Sequence, residues 1–237
     1  MSLGAGAVQC AQIVVFSTIS CKEALLELVP EFERVSGHKV DITYAGGSGL
    51  SKQIRGGTLG DIFIGPEEFS GPLIDEGKLL AGSRSAFARS STGLAVRAGA
   101  PKPDISSPEK LKGALLAARS VSYSAGASGM HFVKVLEQLG IRDAVAAKFV
   151  AARPGELIGA VVARGEADIG VQQVSELLPV EGIQILGPLP TELQQTIVYG
   201  ATAFPKSTQR EAAQAFVSFL RSEPARIVLR KKGLDPA

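Results

Sequence analysis

Three serines stand where a strand pattern gives way to a helix pattern, and hydroxyl groups at such places can hold an anion. Ser20 follows a short apolar run, Ser48 follows the alternating segment KVDITYA, and Ser128 follows SVSYSA. Each helix start presents backbone N–H groups without intrahelical partners and the positive end of the helix dipole. Ser20 with Glu23 also fits the S-x-x-E capping box, so an ordinary N-cap is the alternative for that serine.

Further features of these loops favour a ligand over simple capping. A fourth helix is predicted behind Pro154 and Gly155, and glycines at positions 46, 47, 49, 126 and 129 would let a ligand approach the backbone closely. In open α/β sheets, ligands bind at the carboxyl ends of the strands, where these loops fall. Several helix N-termini that converge there form an anion site without Lys or Arg. The sequence therefore predicts that the serines hold an anion.

The same hydroxyls are poor candidates for nucleophilic catalysis, because a serine nucleophile needs a base within hydrogen-bond reach. The only histidines are His38, predicted in a solvated turn, and His131, which could touch Ser128 at i, i+3. The sequence contains no G-x-S-x-G, P-loop or H-E-x-x-H motif. Two cysteines and two scattered histidines give no metal-ligand spacing. We therefore predict that the protein is not an enzyme and needs neither a metal ion nor a cofactor.

Composition narrows the class of protein further. The 237 residues are 45% hydrophobic and 20% charged with a net charge of +2, as in an ordinary globular protein. Acids and bases are mixed along the chain, so neither nucleic acid nor anionic lipid is an expected partner. No apolar run is long enough to span a membrane.

Two features bear on the compartment. The first residues, MSLGAGAVQ, lack the basic and apolar regions of a signal peptide, so we expect that any export signal was removed. Cys10 and Cys21 flank a predicted strand, which would hold them too far apart for a disulfide. We predict two separate thiols, and the sequence leaves open whether Cys10 is a lipid anchor.

Strand and helix patterns alternate along the chain. Strands are predicted at 12–16, 39–45 and 61–65, with helices between them that end at Gly37 and near Gly56. This order predicts right-handed βαβ units and a mostly parallel sheet. The pattern restarts with a strand at 120–125, a helix over GASGMHFVKVLEQLG, a strand in KFVAA, and then a helix and a strand up to IGVQQ.

Two long β-rich segments, 87–98 and 194–204, could cross between two lobes, and helices at 208–221 and 223–232 would return the chain to the first lobe. The predicted fold is a two-lobed α/β protein. Each lobe has a mostly parallel sheet flanked by helices, and the two crossover strands form the hinge. Lobe I comprises 10–90 plus 199–237, lobe II comprises 91–198, and the ligand cleft lies between them.

The chain resembles the periplasmic molybdate-binding protein family, within the type II periplasmic binding proteins, from residue 12 to about 233. The resemblance rests on VVFSTISCKEALLELVPEFERVSGHKV, TYAGGSGLSKQIRGGTLGDIFIG, SAGASGMHFVKVLEQLG, ARGEADIGVQQVSEL and the terminal helices. It implies a periplasmic protein, expected to be monomeric, that binds a tetrahedral oxyanion between two lobes and delivers it to the membrane permease of an ABC importer. Molybdate or tungstate is then the first choice of ligand.

The resemblance also implies a set of ligand-binding residues. Ser20 and Ser48 match the two serines of the first lobe, Ser128 matches the small residue at the second-lobe helix start, and Leu157 matches an apolar residue that donates its backbone N–H. Well-studied members supply a tyrosine hydroxyl after an I-G-x-x motif, where this chain has Gln172 or Gln173. A glutamine amide can accept as well as donate, so a protonated or organic ligand becomes an alternative.

Two other classes of protein use similar scaffolds. The effector-sensing domain of a transcription regulator would need a helix-turn-helix module in the same polypeptide. An enzyme built on the two-lobed scaffold would need a catalytic acid or base in the cleft. The sequence favours solute binding over both.

Overall fold

The computed structural model describes residues 10–237, so the segment MSLGAGAVQ lies outside the described residues. The chain alternates strands and helices from β1 to the terminal helices. In chain order the elements are β1 (Gln12–Thr18), a 3₁₀ turn (Ile19–Cys21), α1 (Lys22–Ser36), β2 (Lys39–Ala45), α2 (Gly47–Arg55), β3 (Ile62–Pro66), α3 (Glu67–Asp75), β4 (Ser85–Ser90), β5 (Thr92–Arg97), α4 (Pro108–Ala117), β6 (Val121–Tyr123), α5 (Ala127–Gln138), α6 (Arg142–Ala146), α7 (Ile158–Ala163), β7 (Ile169–Gln173), α8 (Val174–Leu177), β8 (Ile183–Pro188), β9 (Ile197–Ala203), α9 (Arg210–Leu220), α10 (Glu223–Lys231) and β10 (Asp235–Pro236).

The strands form two sheets. The six-stranded sheet has the order β10-β4-β9-β3-β1-β2, and the four-stranded sheet has the order β6-β7-β5-β8. The two-lobed α/β class is confirmed, but the prediction that each sheet is mostly parallel was wrong. Only β1 with β2, β1 with β3 and β6 with β7 pair in parallel, and the other pairs are antiparallel. The crossovers cause the difference, because β9 runs against β3 in the six-stranded sheet and β5 runs against β7 in the four-stranded sheet.

The crossovers also differ in detail from the prediction. Segment 87–98 divides at Ser91 into β4 of the six-stranded sheet and β5 of the four-stranded sheet, which confirms one crossing point. Strand β9, in contrast, lies wholly in the six-stranded sheet. The strand predicted in KFVAA is reduced to a single bridge between Phe149 and Val121, because the chain leaves the sheet edge after one pairing.

Residues with known capping preferences mark the ends of several helices. Helix α1 ends at Gly37, which takes the left-handed conformation (φ 74°) that favours glycine, and its N–H donates to the Glu33 carbonyl. Ser107 and Ser222 cap α4 and α10, since their hydroxyls accept backbone N–H groups of the first turn. None of the helices in the part of the chain described is long and apolar enough to cross a membrane.

The two cysteines match the prediction, whereas His38 does not. Both cysteines are free thiols, Cys10 exposed and Cys21 buried, as predicted. The prediction of a solvated His38 was wrong. Its side chain is buried, and Nδ1 accepts a hydrogen bond from the Ala11 N–H, because the start of β2 brings it beside the start of β1.

The core of the six-stranded sheet lies between the sheet and helices α1, α9 and α10. Phe216 of α9 is fully buried there, and its ring lies 4.9 Å from that of Phe32 in α1, centroid to centroid. A separate core covers the four-stranded sheet, with Phe132 of α5 fully buried in it. Each sheet therefore has its own apolar core.

We expect Phe216→Ala to lower the free energy of unfolding by ~3–5 kcal/mol, because it removes a buried aromatic ring and leaves a cavity. Ile227→Ala is the control, since Ile227 lies on α10 with 61% of its surface exposed and should change stability by no more than ~0.5 kcal/mol. Urea denaturation followed by circular dichroism measures both. Equal effects of the two substitutions would contradict this account of the core.

Candidate functional site

A cavity of about 570 Å³ lies between the two sheets. Its walls come from the ends of β1 and β3, the β2–α2 loop, the segments after β6 and β7, and the stretch that leads into α7. All six residues predicted from the sequence line it: Ser20, Ser48, Ser128, Leu157, Gln172 and Gln173. The topology thus brings these distant residues to one place, while their contact with a ligand stays a prediction.

Two helix N-termini from different sheets point their backbone groups toward this cavity. The first intrahelical bonds join Leu50 to Gly46 in α2 and Met130 to Gly126 in α5. The N–H groups before Leu50 and Met130 therefore have no intrahelical partner. Both helices have at least nine residues, so each carries the partial positive charge of a helix dipole at its start. Together they form an anion-binding arrangement.

Ser20 does not cap its helix. The N-cap of α1 is Cys21, and no side chain caps it, so the capping box suggested by Ser20 and Glu23 is not formed. The Ser20 hydroxyl instead donates to Oε1 of Glu176 at 2.7 Å. This bond joins the loop after β1 in one sheet to α8, which follows β7 of the other sheet.

The other two serines differ in what their hydroxyls can do. Ser48 is exposed at the start of α2 and faces the cavity without a protein partner among residues 10–237. Ser128 is buried, and its hydroxyl lies 3.0 Å from that of Ser124. The loop that precedes α5 packs closely against the first turn of that helix. A Cβ on Gly129 would lie 1.5 Å from the Ser124 carbonyl oxygen.

The two glutamines have different roles in the wall. Gln172 accepts the N–H of Ile158 through Oε1 at 2.8 Å, so its carbonyl caps the start of α7. Gln173 is almost fully buried, and neither atom of its amide finds a hydrogen-bond partner in the described part of the chain. Leu157 is the N-cap residue of the short helix α7. Of the two candidates for the tyrosine position, only Gln173 keeps a free amide.

Sequence reasoning missed the ionisable residues of the cavity, among them Glu176 and Tyr199. Burial raises the pKa of Glu176, and the hydrogen bonds from Ser20, Gln172 and the Gln173 backbone offset this only in part. Burial, followed by the charge of Glu176, raises the pKa of Tyr199 well above its ordinary value. In both groups, burial disfavours the charged form.

Weak sequence signals for these two residues did exist. Glu176 follows the predicted Gln173 by three residues, and Tyr199 is one of only three tyrosines in the chain. Tyr199 lies on β9, far in sequence from the motif that carries the tyrosine in the molybdate-binding family. A tyrosine thus lines the cavity from a different strand than the resemblance implied.

The remaining wall is largely aromatic and apolar. Phe69 lies on the side of the six-stranded sheet, while Tyr123 and Phe149 lie on the other side with their rings 4.5 Å apart. Arg153 is the only Lys or Arg among the residues that line the cavity. Nearby Glu156 is paired with Arg164, which lowers the pKa of Glu156. The cavity thus combines polar helix starts with a broad apolar surface.

Within residues 10–237, the hydroxyl of Ser128 has the hydroxyl of Ser124 as its partner and no histidine. His131 Nε2 lies 2.7 Å from the carbonyl oxygen of Leu193 and does not line the cavity, so the contact considered between Ser128 and His131 is not formed. Among residues 10–237, no group of three or more His, Cys, Asp or Glu side chains could hold a metal ion.

Comparison with known proteins identifies the family. Residues 13–235 match the family model described as bacterial extracellular solute-binding protein. The chain is 35% identical over 232 residues to aconitate isomerase of a Pseudomonas species, covering 94% of this chain and 87% of the relative. It is 27% identical over 247 residues to the molybdate-binding protein ModA of Azotobacter vinelandii, covering 98% of this chain and 95% of that protein.

The fold is likewise shared with solved structures. The sulfate-binding protein SubI of Mycobacterium tuberculosis superposes with a TM-score of 0.78 at 20% identity, covering 96% of this chain and 87% of that one. The chain therefore belongs to the bacterial extracellular solute-binding protein family. The resemblance to molybdate-binding proteins is confirmed at the level of family and fold.

We expect Gly129→Ala to destabilise the protein by ~1–3 kcal/mol or to displace the start of α5, because the added methyl group collides with the Ser124 carbonyl. Gly113→Ala is the matched control, since Gly113 also lies in a helix but has open space around its Cβ position and should gain up to ~1 kcal/mol. Urea denaturation compares the two. A Gly129→Ala protein as stable as Gly113→Ala would contradict the close packing of this loop.

The raised pKa of Glu176 predicts a pH-dependent stability difference. The folded protein binds this proton more tightly than the unfolded chain, so the contribution is present at low pH and is lost as the pH rises through the raised pKa. Each tenfold difference in proton affinity corresponds to ~1.4 kcal/mol. The substitution Glu176→Gln replaces the carboxyl group with an amide of nearly the same shape that does not ionise.

We therefore expect Glu176→Gln to gain stability relative to the unmodified protein as the pH rises above about 4.5. Thermal unfolding of both proteins at several pH values measures this difference. A difference that stays constant over that range would mean that Glu176 has an ordinary pKa.

Proposed function

We propose that this protein captures a small organic anion with more than one carboxylate in the cavity between its lobes and delivers it to the membrane permease of an ABC importer. The observation that carries the proposal is the chemistry of the cavity, which combines helix N-termini on two sides with a carboxyl of raised pKa and a broad apolar wall. Such a site offers donors for carboxylates and a surface for carbon atoms.

The helix starts support a ligand with two separated anionic groups. One carboxylate can accept the N–H groups at the start of α2, together with the Ser48 hydroxyl, and another can accept those at the start of α5. The aromatic side chains Phe69, Tyr123 and Phe149 would then pack against the carbon skeleton between the two carboxylates. Arg153 adds one positive charge at the wall.

A tetrahedral metal oxyanion uses less of this site. Molybdate and tungstate have four oxygens around one metal atom and no carbon skeleton that Phe69, Tyr123 and Phe149 could pack against. Their four oxygens would also leave most of the 570 Å³ and the aromatic wall without contacts. The higher identity to aconitate isomerase, whose substrate by its name is a tricarboxylate, also supports a carboxylate ligand.

The lobe boundaries and the location form part of the same proposal. We assign 10–90 plus 199–237 to lobe I and 91–198 to lobe II, as the membership of the two sheets supports. The chain passes between the lobes at Ser91 and again before β9, and flexing there would close the cleft on the ligand. The family description supports a place outside the cytoplasm, which we take as the periplasm. We expect a monomer.

A second candidate function is chemical conversion of the same ligand. Glu176 favours it, because a carboxyl with a raised pKa inside a ligand cavity is suited to proton transfer. The relative named aconitate isomerase supports it as well. An effector-sensing role in transcription has no comparable support from the described residues.

Thermal unfolding with a panel of ligands tests the proposal. We expect cis-aconitate, trans-aconitate or a similar di- or tricarboxylate to raise the melting temperature by several degrees, since a ligand at 100 times its dissociation constant adds ~2.7 kcal/mol. Molybdate, tungstate, sulfate and phosphate should give no comparable rise. Acetate serves as the control for a single carboxylate.

A rise in melting temperature with molybdate and tungstate, but with none of the organic acids, would contradict the proposal. The ligand would then be a tetrahedral oxyanion, as the family resemblance implies. Titration calorimetry with the best ligand would then give its affinity and separate specific binding from a general effect of anions.

A further inference from the structure

The floor of the cavity holds a carboxyl group that is unusual for a site built to bind anions. Glu176 lies in the wall with part of its surface exposed, and Ser20 donates to its Oε1 at 2.7 Å. The Gln172 side chain and the Gln173 backbone also donate to this carboxyl, and no Lys or Arg among residues 10–237 forms an ion pair with it. Nothing in anion capture alone requires an acid at this position.

We propose that Glu176 is the proton-transfer residue of an isomerase activity on unsaturated carboxylic acids, and that Ser20 is its positioning residue. This inference rests on the proposed carboxylate ligand, and it extends the second candidate function to named groups. The substrate class is a small acid with a carbon–carbon double bond next to a CH₂ group that also bears a carboxylate.

The step balances without any further reactant. Ionised Glu176 removes a proton from the CH₂ carbon, and the C–H electron pair spreads over the neighbouring double bond and the carboxylates. The helix N-termini of α2 and α5 stabilise the negative charge that develops on those carboxylates. The carboxylic acid of Glu176 then returns the proton, either to the same carbon or to the far end of the delocalised anion, which moves the double bond.

The groups around Glu176 support this role. Ser20, Gln172 and the Gln173 backbone are neutral hydrogen-bonding groups, and burial keeps Cys21 and Tyr199 protonated and neutral. No cation pairs with the carboxyl in the described chain. A general base works best when its pKa lies near the working pH, and burial without a cation moves a glutamate toward that range.

The hydrogen bond from Ser20 makes the orientation of the Glu176 carboxyl depend on how close the two lobes are. It lies after β1 in the six-stranded sheet, whereas Glu176 lies on α8 beside the four-stranded sheet. The hydrogen bond between them therefore fixes one carboxyl oxygen and directs the other only while the two sheets are close together. Closure would assemble the proton-transfer group around the bound acid.

The test uses cis-aconitate and trans-aconitate as probes in deuterated buffer. Proton NMR follows deuterium uptake at the CH₂ carbon and interconversion of the two acids, and thermal unfolding on the same samples reports binding. We expect the unmodified protein to catalyse both processes, with a rate that rises with pH through the raised pKa. Glu176→Gln should lower the rate at least ~100-fold while the thermal shift by the probes persists.

Two further variants separate catalysis from structure. Ser20→Ala should retain binding, lower the rate ~10-fold and displace the pH profile, because the carboxyl loses its donor. Glu181→Gln is the matched control, since Glu181 is exposed close to α8 and outside the cavity, and it should leave rate and binding unchanged.

The outcomes are distinguishable. If the unmodified protein binds either probe without deuterium uptake, or if Glu176→Gln exchanges as fast as the unmodified protein, the proton-transfer role is overturned and the proposed binding function stands. If neither probe binds, both proposals fall. Should Glu176→Gln not fold, the pH profile of the unmodified protein decides, because a rate without a Glu-like transition would overturn the assignment.

Discussion

The parallel pairing of β1 with β2 and with β3 is the constraint on which the rest of the site depends. Because these strands run in one direction, the helices that follow them all begin at the same edge of the sheet. The parallel pair β6 and β7 does the same in the other sheet. The antiparallel crossover strands then hold the two edges face to face. An anion site made of helix N-termini follows from this topology, with no need for a cluster of basic residues.

The same arrangement explains why an acid can lie among anion donors. Helix starts carry only partial charges, so their field on Glu176 is weaker than that of a neighbouring Arg or Lys would be. Burial therefore outweighs the hydrogen bonds to the carboxyl and raises its pKa. The Ser20 hydroxyl satisfies one carboxyl oxygen across the cleft, which lowers the cost of that burial.

The local features of the fold could be predicted from the sequence because they depend on neighbouring residues. The end of α1 at Gly37 and the limits of β2 follow from left-handed glycine and from strict alternation. The direction of strand pairing could not be predicted, since it depends on where distant crossover segments join a sheet. The strand expected in KFVAA does not form for the same reason. Phe149 pairs with Val121 in a single bridge, and its side chain lines the cavity.

The residues of the candidate site show the same difference between local and long-range features. Ser20, Ser48 and Ser128 could be found because each stands at a strand-to-helix junction, which a single segment reveals. Glu176 and Tyr199 could not, because their roles arise from burial next to residues far away in sequence. Tyr199 comes from β9, and only the pairing of β9 with β3 brings it beside the loop after β1.

The choice of ligand depends on how much of the cavity wall the ligand can use. A tetrahedral metal oxyanion gains nothing from apolar rings. This cavity has donors at two helix starts, a carboxyl with a raised pKa on its floor and two tilted aromatic rings on its wall. Those features together suit a molecule whose charged ends are separated by carbon, because each part of such a molecule then meets a matching surface. Of the two glutamates that line the cavity, Glu176 is the one whose pKa is raised, and its ionised form is the better base for taking a proton from such a ligand.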